Sequence, residues 1–187
     1  MEYFAVLDIE TTWDNEVMSI GVVIGEKETF NPVAMQYYVI SPTYRKGGMY
    51  SDMLNTRGKD TILCKKKEAI FGIKVLFDRH KITSVFAYNA TFDYKHLKEL
   101  ENYTWYDIMS IAAYRQYNLA IPATAECCKT GRLKSNYGVQ AIMCMLTKNR
   151  TYYETHNALY DALDELKIMK LLNVKIEMYF PLQKNHP

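Results

Sequence analysis

Three apolar runs crowd into the first forty residues, and they restrict the fold more than any other feature. They are Tyr3 to Ile9 (YFAVLDI), Val17 to Ile24 (VMSIGVVI) and Met35 to Ile40 (MQYYVI), the last stopped by Ser41-Pro42. The polar stretches between them are short, and three strands with short connections suggest an antiparallel meander. A polar stretch follows, TYRKGGMYSDMLNTRGKD from Thr43 to Asp60, with three glycines. It reads as a long loop with a turn of helix, and loops of this length in a compact domain tend to be functional. Beyond it the pattern alternates. Lys66 to His80 has helical spacing (Ala69, Ile70, Ile73, Leu76, Phe77), Thr83 to Tyr88 reads as a buried strand, and Asp93 to Leu100 as a short helix. Thr104 to Tyr106 is a short strand, Ile108 to Tyr117 a helix, and Val139 to Leu146 and Ala158 to Leu172 two more helices. A meander followed by alternating helices and strands implies a mixed sheet with helices packed on it, an α/β domain.

A chain of 187 residues fits one domain and can bury a substantial core. The expected organisation is a single domain over 1–187, with its core at about 3–172 and an extended C-terminal cover at 173–187, frayed at its end. Apolar residues make up 49% and charged residues 24%, the balance of a soluble globular protein. No run approaches the roughly 18 apolar residues of a membrane span, so no membrane association is expected. The N-terminus, MEYFAVLDIE, is acidic and enters a strand directly, unlike a secretory signal. Cys64, Cys127, Cys128 and Cys144 include no CxxC pair and read as reduced thiols of a cytoplasmic protein. The net charge of +2 is uninformative, and the basic runs Lys65-Lys66-Lys67 and Lys129, Arg132, Lys134 read as solvated faces. Sixteen tyrosines are many for this length; most must pack, and a few can serve as stacking surfaces for bases.

The chemistry-bearing residues are acidic. Asp8 and Glu10 lie in LDIETT at the end of the first strand, two apart and therefore on one side of it. Two like charges so placed either meet solvent or share a cation, and oxygen ligands suit Mg²⁺ or Mn²⁺. Asn89 and Asp93 in AYNATFDYKHL flank a strand-to-helix junction. An acid there serves as a helix N-cap, or lines the crevice at the carboxyl ends of strands where α/β proteins bind ligands.

HNALYDALDE, His156 to Glu165, holds two overlapping pairs, His156 with Asp161 and Tyr160 with Asp164. At about 100° per residue, the helix buries Ala158, Leu159, Ala162, Leu163, Leu166 and Met169 on one stripe. Asp164 then faces solvent, nearly opposite the stripe. Asp161 stands beside its edge, and His156 precedes the first turn on a loop able to swing. The geometry favours His156 with Asp161.

LDIETT, NATFD and HNALYDA, in that order, resemble the DEDD superfamily of 3′-to-5′ exonucleases in its histidine-bearing (DEDDh) branch. That branch carries an acidic pair on the first strand, Asn-x-x-x-Asp entering a helix, and His-x-Ala-x-x-Asp-Ala opening the last helix. SIGVV and WYDIMSIA are similar to further segments of the family, and the resemblance runs from about Tyr3 to Leu172. It implies a ribonuclease-H-like fold, a five-stranded mixed sheet with helices on both faces. It also implies a site of Asp8, Glu10, Asp93 and Asp161 holding two Mg²⁺ or Mn²⁺ ions, with His156 as general base. In the alternative branch Tyr160 and Asp164 would occupy the third motif, whereas Ala158 and Ala162 fit only the histidine reading.

The chemistry so implied is hydrolysis of the terminal phosphodiester at a free 3′ end of single-stranded or frayed DNA or RNA, releasing nucleoside 5′-monophosphates. Two metals about 4 Å apart activate water and stabilise the departing 3′ oxygen. Asp8 would bridge them, Glu10 and Asp161 complete the first site, and Asp93 support the second. A histidine titrates near neutral pH and can take the proton of the attacking water. Residues after the acidic pair contact the terminal nucleotide in the family, which points to Thr11, Thr12 and Trp13. Trp13 stands where the family often has glycine, and either stacks on a base or packs. Phe92 either wedges against a terminal base pair or fills the core, and Asn89 completes the substrate-binding set. The Thr43 to Asp60 loop, with Tyr44, Arg45, Lys46 and Arg57, is a further contact surface. His80, His96 and His186 lack such context and read as structural or surface residues. Relatives include homodimers and proofreading subunits bound to a DNA polymerase. Both partners are compatible with this sequence, although the short stretch after residue 172 favours a stand-alone enzyme. The competing reading is a catalytically weak nucleic-acid-binding or polymerase-accessory module.

Overall fold

A computed structural model of the chain describes residues 2–182. The meander is present as β1 (Tyr3–Thr11), β2 (Val17–Glu26) and β3 (Pro32–Ile40), antiparallel throughout. β4 (Thr61–Cys64) adds parallel to β3, and β5 (Ser84–Ala87) and β6 (Thr104–Asp107) add parallel on the other side of β1. The sheet is therefore mixed, in the order β4-β3-β2-β1-β5-β6. Among the described residues it has six strands rather than the expected five. The extra one, TILC, is too short for a period to register, and as an edge strand it leaves Ile62 and Leu63 partly exposed.

The helices are α1 (Lys66–His80), α2 (Thr91–His96), α3 (Met109–Ala112), α4 (Val139–Thr147) and α5 (Ala158–Leu172). α3 is shorter than the helix expected over 108–117. The side-chain amide of buried Asn118 donates to the Ala112 carbonyl at 2.8 Å, and the Leu133 N–H takes the Ala113 carbonyl at 2.9 Å. With those acceptors claimed from outside, the helix cannot propagate. α2 likewise ends early, and a 3-10 turn at Lys98–Leu100 continues it.

Side chains of β1 alternate between two cores. Ala5, Leu7 and Ile9 pack with Ile73, Leu76 and Phe77 of α1. Phe4 and Val6 pack with Phe86, Leu166 and Met169 on the other face. By the period of two, Asp8 and Glu10 continue the Phe4–Val6 row toward α5. Near the end of the described residues Pro181 bridges Tyr106, and the Leu182 N–H donates to the Trp105 carbonyl at 2.8 Å. Residues 183–187, including His186, lie outside the described residues. All four cysteines are free. Among the described residues no helix is long and apolar enough to cross a membrane.

α5 crosses the sheet very close to β2. A Cβ on Gly21, the residue paired with Asp8, would overlap the backbone carbonyl of Ala158. A Cβ on Gly25 would stand 2.9 Å from Leu166 Cδ1. The missing side chains make room for the helix. Overpacking a tight contact costs about 1–3 kcal/mol, and in a chain of this size each kcal/mol lowers Tm by about 2–4 °C. Gly21→Ala should therefore melt several degrees below the wild type. Gly138→Ala, at a glycine with nothing within 4 Å of its Cβ position, serves as control. Thermal unfolding followed by circular dichroism measures both, and equal shifts would refute the close-approach account.

Candidate active site

The carboxylates gather at the carboxyl end of β1. Asp8 and Glu10 come from that strand, Asp93 from the first turn of α2, and Asp161 from the first turn of α5. Asn157 sets the start of α5: its side chain accepts the Leu159 N–H at 3.2 Å and donates to Tyr37 Oη at 3.1 Å and to the Met53 carbonyl at 2.9 Å. Asp93 is not the N-cap of α2, a position held by Ala90 without a side-chain bond. It is buried and turned toward β1, where the Ile9 backbone hydrogen-bonds its carboxylate.

The buried face of α5 differs from the expected stripe. Asp161, Glu165 and Ile168 are buried, whereas Leu159 and Leu163 are only half-buried. Asp161 thus lies within the face rather than at its edge. Asp164 is half-buried, not solvated, and accepts the Tyr152 hydroxyl. Tyr160 is exposed. The rotation follows from Gly21 and Gly25, which let the helix seat its polar residues against the acidic end of β1.

Electrostatically the cluster is strained. Asp8 is raised well above the ordinary carboxylate range by burial, then by Glu165, Asp93, Glu10 and Asp161. Burial, then Asp161, Glu154 and Asp93, push Glu10 up to about 8. Asp161 rises to about 7 through burial, Glu154 and Asp164, opposed by hydrogen bonds from the backbone at His156 and Asn157. Burial also raises Asp93 well above its usual value. Asp8 Oδ2, Asp93 Oδ1 and Asp161 Oδ1 are buried with no hydrogen-bond partner. Buried hard oxygens without a partner are the kind of donor a divalent cation satisfies. Glu10, His156 and Asp161 each offer a ligand atom, and these atoms lie within 4.8 Å of one another. The residues therefore fit such an ion.

Two acids join the cluster that sequence reasoning did not single out. Glu165 is 1% exposed, its Oε2 has no partner, and burial and Asp93 raise it well above its usual value, against a hydrogen bond from the Tyr88 backbone. Its four-residue spacing from Asp161 places both on one helix face, a signal available in the sequence. Glu154 is raised by burial, with His156 pulling the other way. Nothing in the local pattern marks it.

A cavity of about 350 Å³ opens beside Glu10, lined by Ile9, Thr11, Thr12, Trp13, Asn15, Met49, Tyr50 and Phe92. That volume is in the range of small-ligand pockets, about 300–1,000 Å³. Trp13 is 69% and Phe92 38% exposed, so neither fills the core. Thr12 is buried, its hydroxyl accepting the Asp14 and Glu16 N–H groups, which holds the turn between β1 and β2. Asn89 stands outside the lining; its backbone N–H donates to Asp107 at 2.9 Å. In the 43–60 loop, two 3-10 turns form at Thr43–Lys46 and Ser51–Met53, and Lys46 pairs with Glu16. His80 meets Tyr3 edge-on, and His96 Nδ1 lies 2.9 Å from the Phe92 carbonyl oxygen.

No family model matches the sequence, nor does any curated protein. Solved structures do match the fold. The nuclease domain of 3′hExo, a DEDDh family member bound to rAMP, superposes with a TM-score of 0.66 at 11% identity, covering 97% of this chain and 96% of that one. E. coli exonuclease I in complex with an oligonucleotide gives a TM-score of 0.64 at 12% identity over 94% of this chain. The chain spans only 42% of that enzyme's length. A 3′-exonuclease that recognises a histone mRNA stem-loop gives 0.63 at 11% identity, covering 100% of this chain and 72% of that one. The fold is thus that of the DEDDh 3′-to-5′ exonucleases, a ribonuclease-H-like α/β fold.

The raised carboxylates make stability depend on pH and cations. Carboxyls with folded values near 7 to 8 stay protonated in the native state while the unfolded chain ionises near pH 4. Their contribution is full below about pH 4 and lost as pH rises through 7 to 8. In a chelator, Tm should fall between pH 5 and pH 8. Mn²⁺ should raise Tm more at pH 8 than at pH 5, and Asp8→Asn should melt above the wild type in chelator. A flat Tm–pH profile, unmoved by Mn²⁺, would contradict this.

Proposed function

We propose that the protein is a divalent-metal-dependent 3′-to-5′ exonuclease that shortens single-stranded or frayed nucleic acid and releases nucleoside 5′-monophosphates. The grouping of Glu10, His156 and Asp161, whose ligand atoms lie within 4.8 Å of one another, with Asp8 and Asp93 as their electrostatic neighbours, carries this reading. Asp8, Glu10, Asp93 and Asp161 would hold two Mg²⁺ or Mn²⁺ ions. When bound, these ions supply the Lewis acidity that activates water and stabilises the leaving 3′ oxygen. His156, through a ring nitrogen, takes the proton of the attacking water as general base. The backbone amides that bind Asp161 fix its carboxylate while the helix face excludes bulk water.

The cavity next to Glu10 takes the terminal nucleoside, with Trp13 and Phe92 offering exposed ring faces for base stacking. Thr11 contributes polar contact at its wall. Thr12 acts indirectly by holding the turn that presents Trp13, and Asn89 by its place at the β5-to-α2 junction. A pocket sized for one nucleoside favours an unpaired end. The oligonucleotide carried by exonuclease I and the rAMP carried by 3′hExo support the same class of ligand. One domain over 1–187 suffices for this chemistry. A cytoplasmic setting with free thiols suits it, and a homodimer or a DNA polymerase partner is compatible with it.

A 3′-labelled DNA or RNA strand with Mg²⁺ or Mn²⁺ should release labelled mononucleotide, and EDTA should stop the release. His156→Ala should lower kcat by about 10²–10⁴-fold, and Asp8→Asn and Asp161→Asn should leave little turnover. Comparing matched DNA and RNA in one assay identifies the preferred strand. Binding in EDTA with no cleavage in either metal would instead mark a nucleic-acid-binding module. Release undiminished in the Asp variants would overturn the proposed site.

A further inference from the structure

His156 is gripped by the loop that precedes β4. The ring of Tyr50 lies parallel to the imidazole, with centroids 3.9 Å apart and planes 8° apart. Tyr153 meets the same imidazole edge-on, at 6.2 Å and 89°. His156 itself sits in the left-handed region at φ 55°, which a side-chain-bearing residue occupies only when its surroundings hold it there. The Tyr50 segment is anchored at both ends to parts of the site. Ahead of it, the Trp13 N–H donates to the Gly47 carbonyl at 3.2 Å, and the Ser51 hydroxyl bonds the Gly48 carbonyl at 2.7 Å. Behind it, the Met53 carbonyl accepts from Asn157, the residue next to His156. Met49 and Tyr50 also form a wall of the cavity beside Glu10.

We infer that Tyr50 is a positioning residue for His156, and that through the wall formed by Met49 and Tyr50 a nucleotide in the cavity is coupled to the placement of the imidazole. The coupling rests on the exonuclease reading above; the ring contact does not. A nucleoside seated against Tyr50 presses the phenol ring onto the imidazole and holds it facing Glu10 and Asp161. With the cavity empty, the imidazole is held by the stacked Tyr50 ring and the edge of Tyr153 alone, with no ligand to fix the phenol in place. Loop 43–60 thereby becomes part of the catalytic apparatus, although it supplies no group that reacts.

The test has an arm that needs no turnover. A stacked phenol shifts the imidazole protons upfield, so in proton NMR the His156 ring resonances, assigned by their loss in His156→Gln, should move downfield in Tyr50→Leu and stay in place in Tyr50→Phe. In the exonuclease assay, Tyr50→Leu should lower kcat by about tenfold or more, a fraction of what a general base supplies, and Tyr50→Phe should recover most of it. In a His156→Ala background the same Tyr50→Leu change should cost no more than about twofold in kcat, since it then has nothing to position. Unshifted His156 resonances in Tyr50→Leu overturn the inference whatever the activity. A shifted resonance with wild-type kcat overturns the coupling. Absence of turnover in the wild type is failure of the exonuclease reading instead, and the NMR arm still decides the contact.

Discussion

The close seating of α5 on β2 is the contact on which the rest depends. Gly21 lies opposite Asp8 in the β1–β2 ladder, and the backbone of Ala158 occupies the space its side chain would need. Because the helix starts there, Asp161 falls one turn later over the end of β1, and Glu165 one turn later still. Any residue with a side chain at 21 would lift the first turn of α5 and carry Asp161 away from Glu10. Asn157 completes the placement from the other side by tying the start of the helix to β3 through Tyr37 and to the 43–60 loop through Met53.

That seating has an electrostatic cost. Asp8, Glu10, Asp93, Asp161, Glu165 and Glu154 share one partly desolvated volume, and burial raises every one of them. Protonation relieves the repulsion at low pH, and at neutral pH a divalent cation does so better, because it also satisfies oxygens that have no hydrogen-bond partner. A fold that tolerates such a cluster stores part of its stability in whatever neutralises it. Stability and activity should therefore respond to the same ion.

The cavity adjoins this acidic floor at Glu10. Trp13, Met49, Tyr50 and Phe92 come from the β1–β2 turn, the 43–60 loop and the start of α2, and they line the cavity together with Glu10. Fold neighbours at 11–12% identity share the architecture. Exposed loop aromatics can vary freely on such a frame, since they carry little of its packing.

The sequence by itself determined the meander, the pairing of Asp8 with Glu10 on one side of a strand, Asp93 at a strand-to-helix junction and Asp161 on the first turn of the last helix. Period-two and period-3.6 patterns, with the order of three short motifs, carry that information because each is local. Only the tertiary structure decided which way α5 turns. The apolar stripe included Leu159 and Leu163, but the glycines of β2 admit a different face, which leaves those two half-buried and buries Asp161 and Glu165. It likewise decided that TILC extends the sheet, that Asn118 and Leu133 cut α3 short, and that Tyr50 lies on His156. Each of these is set by a partner distant along the chain, and hydrophobic periodicity records that a face is buried without recording what lies against it.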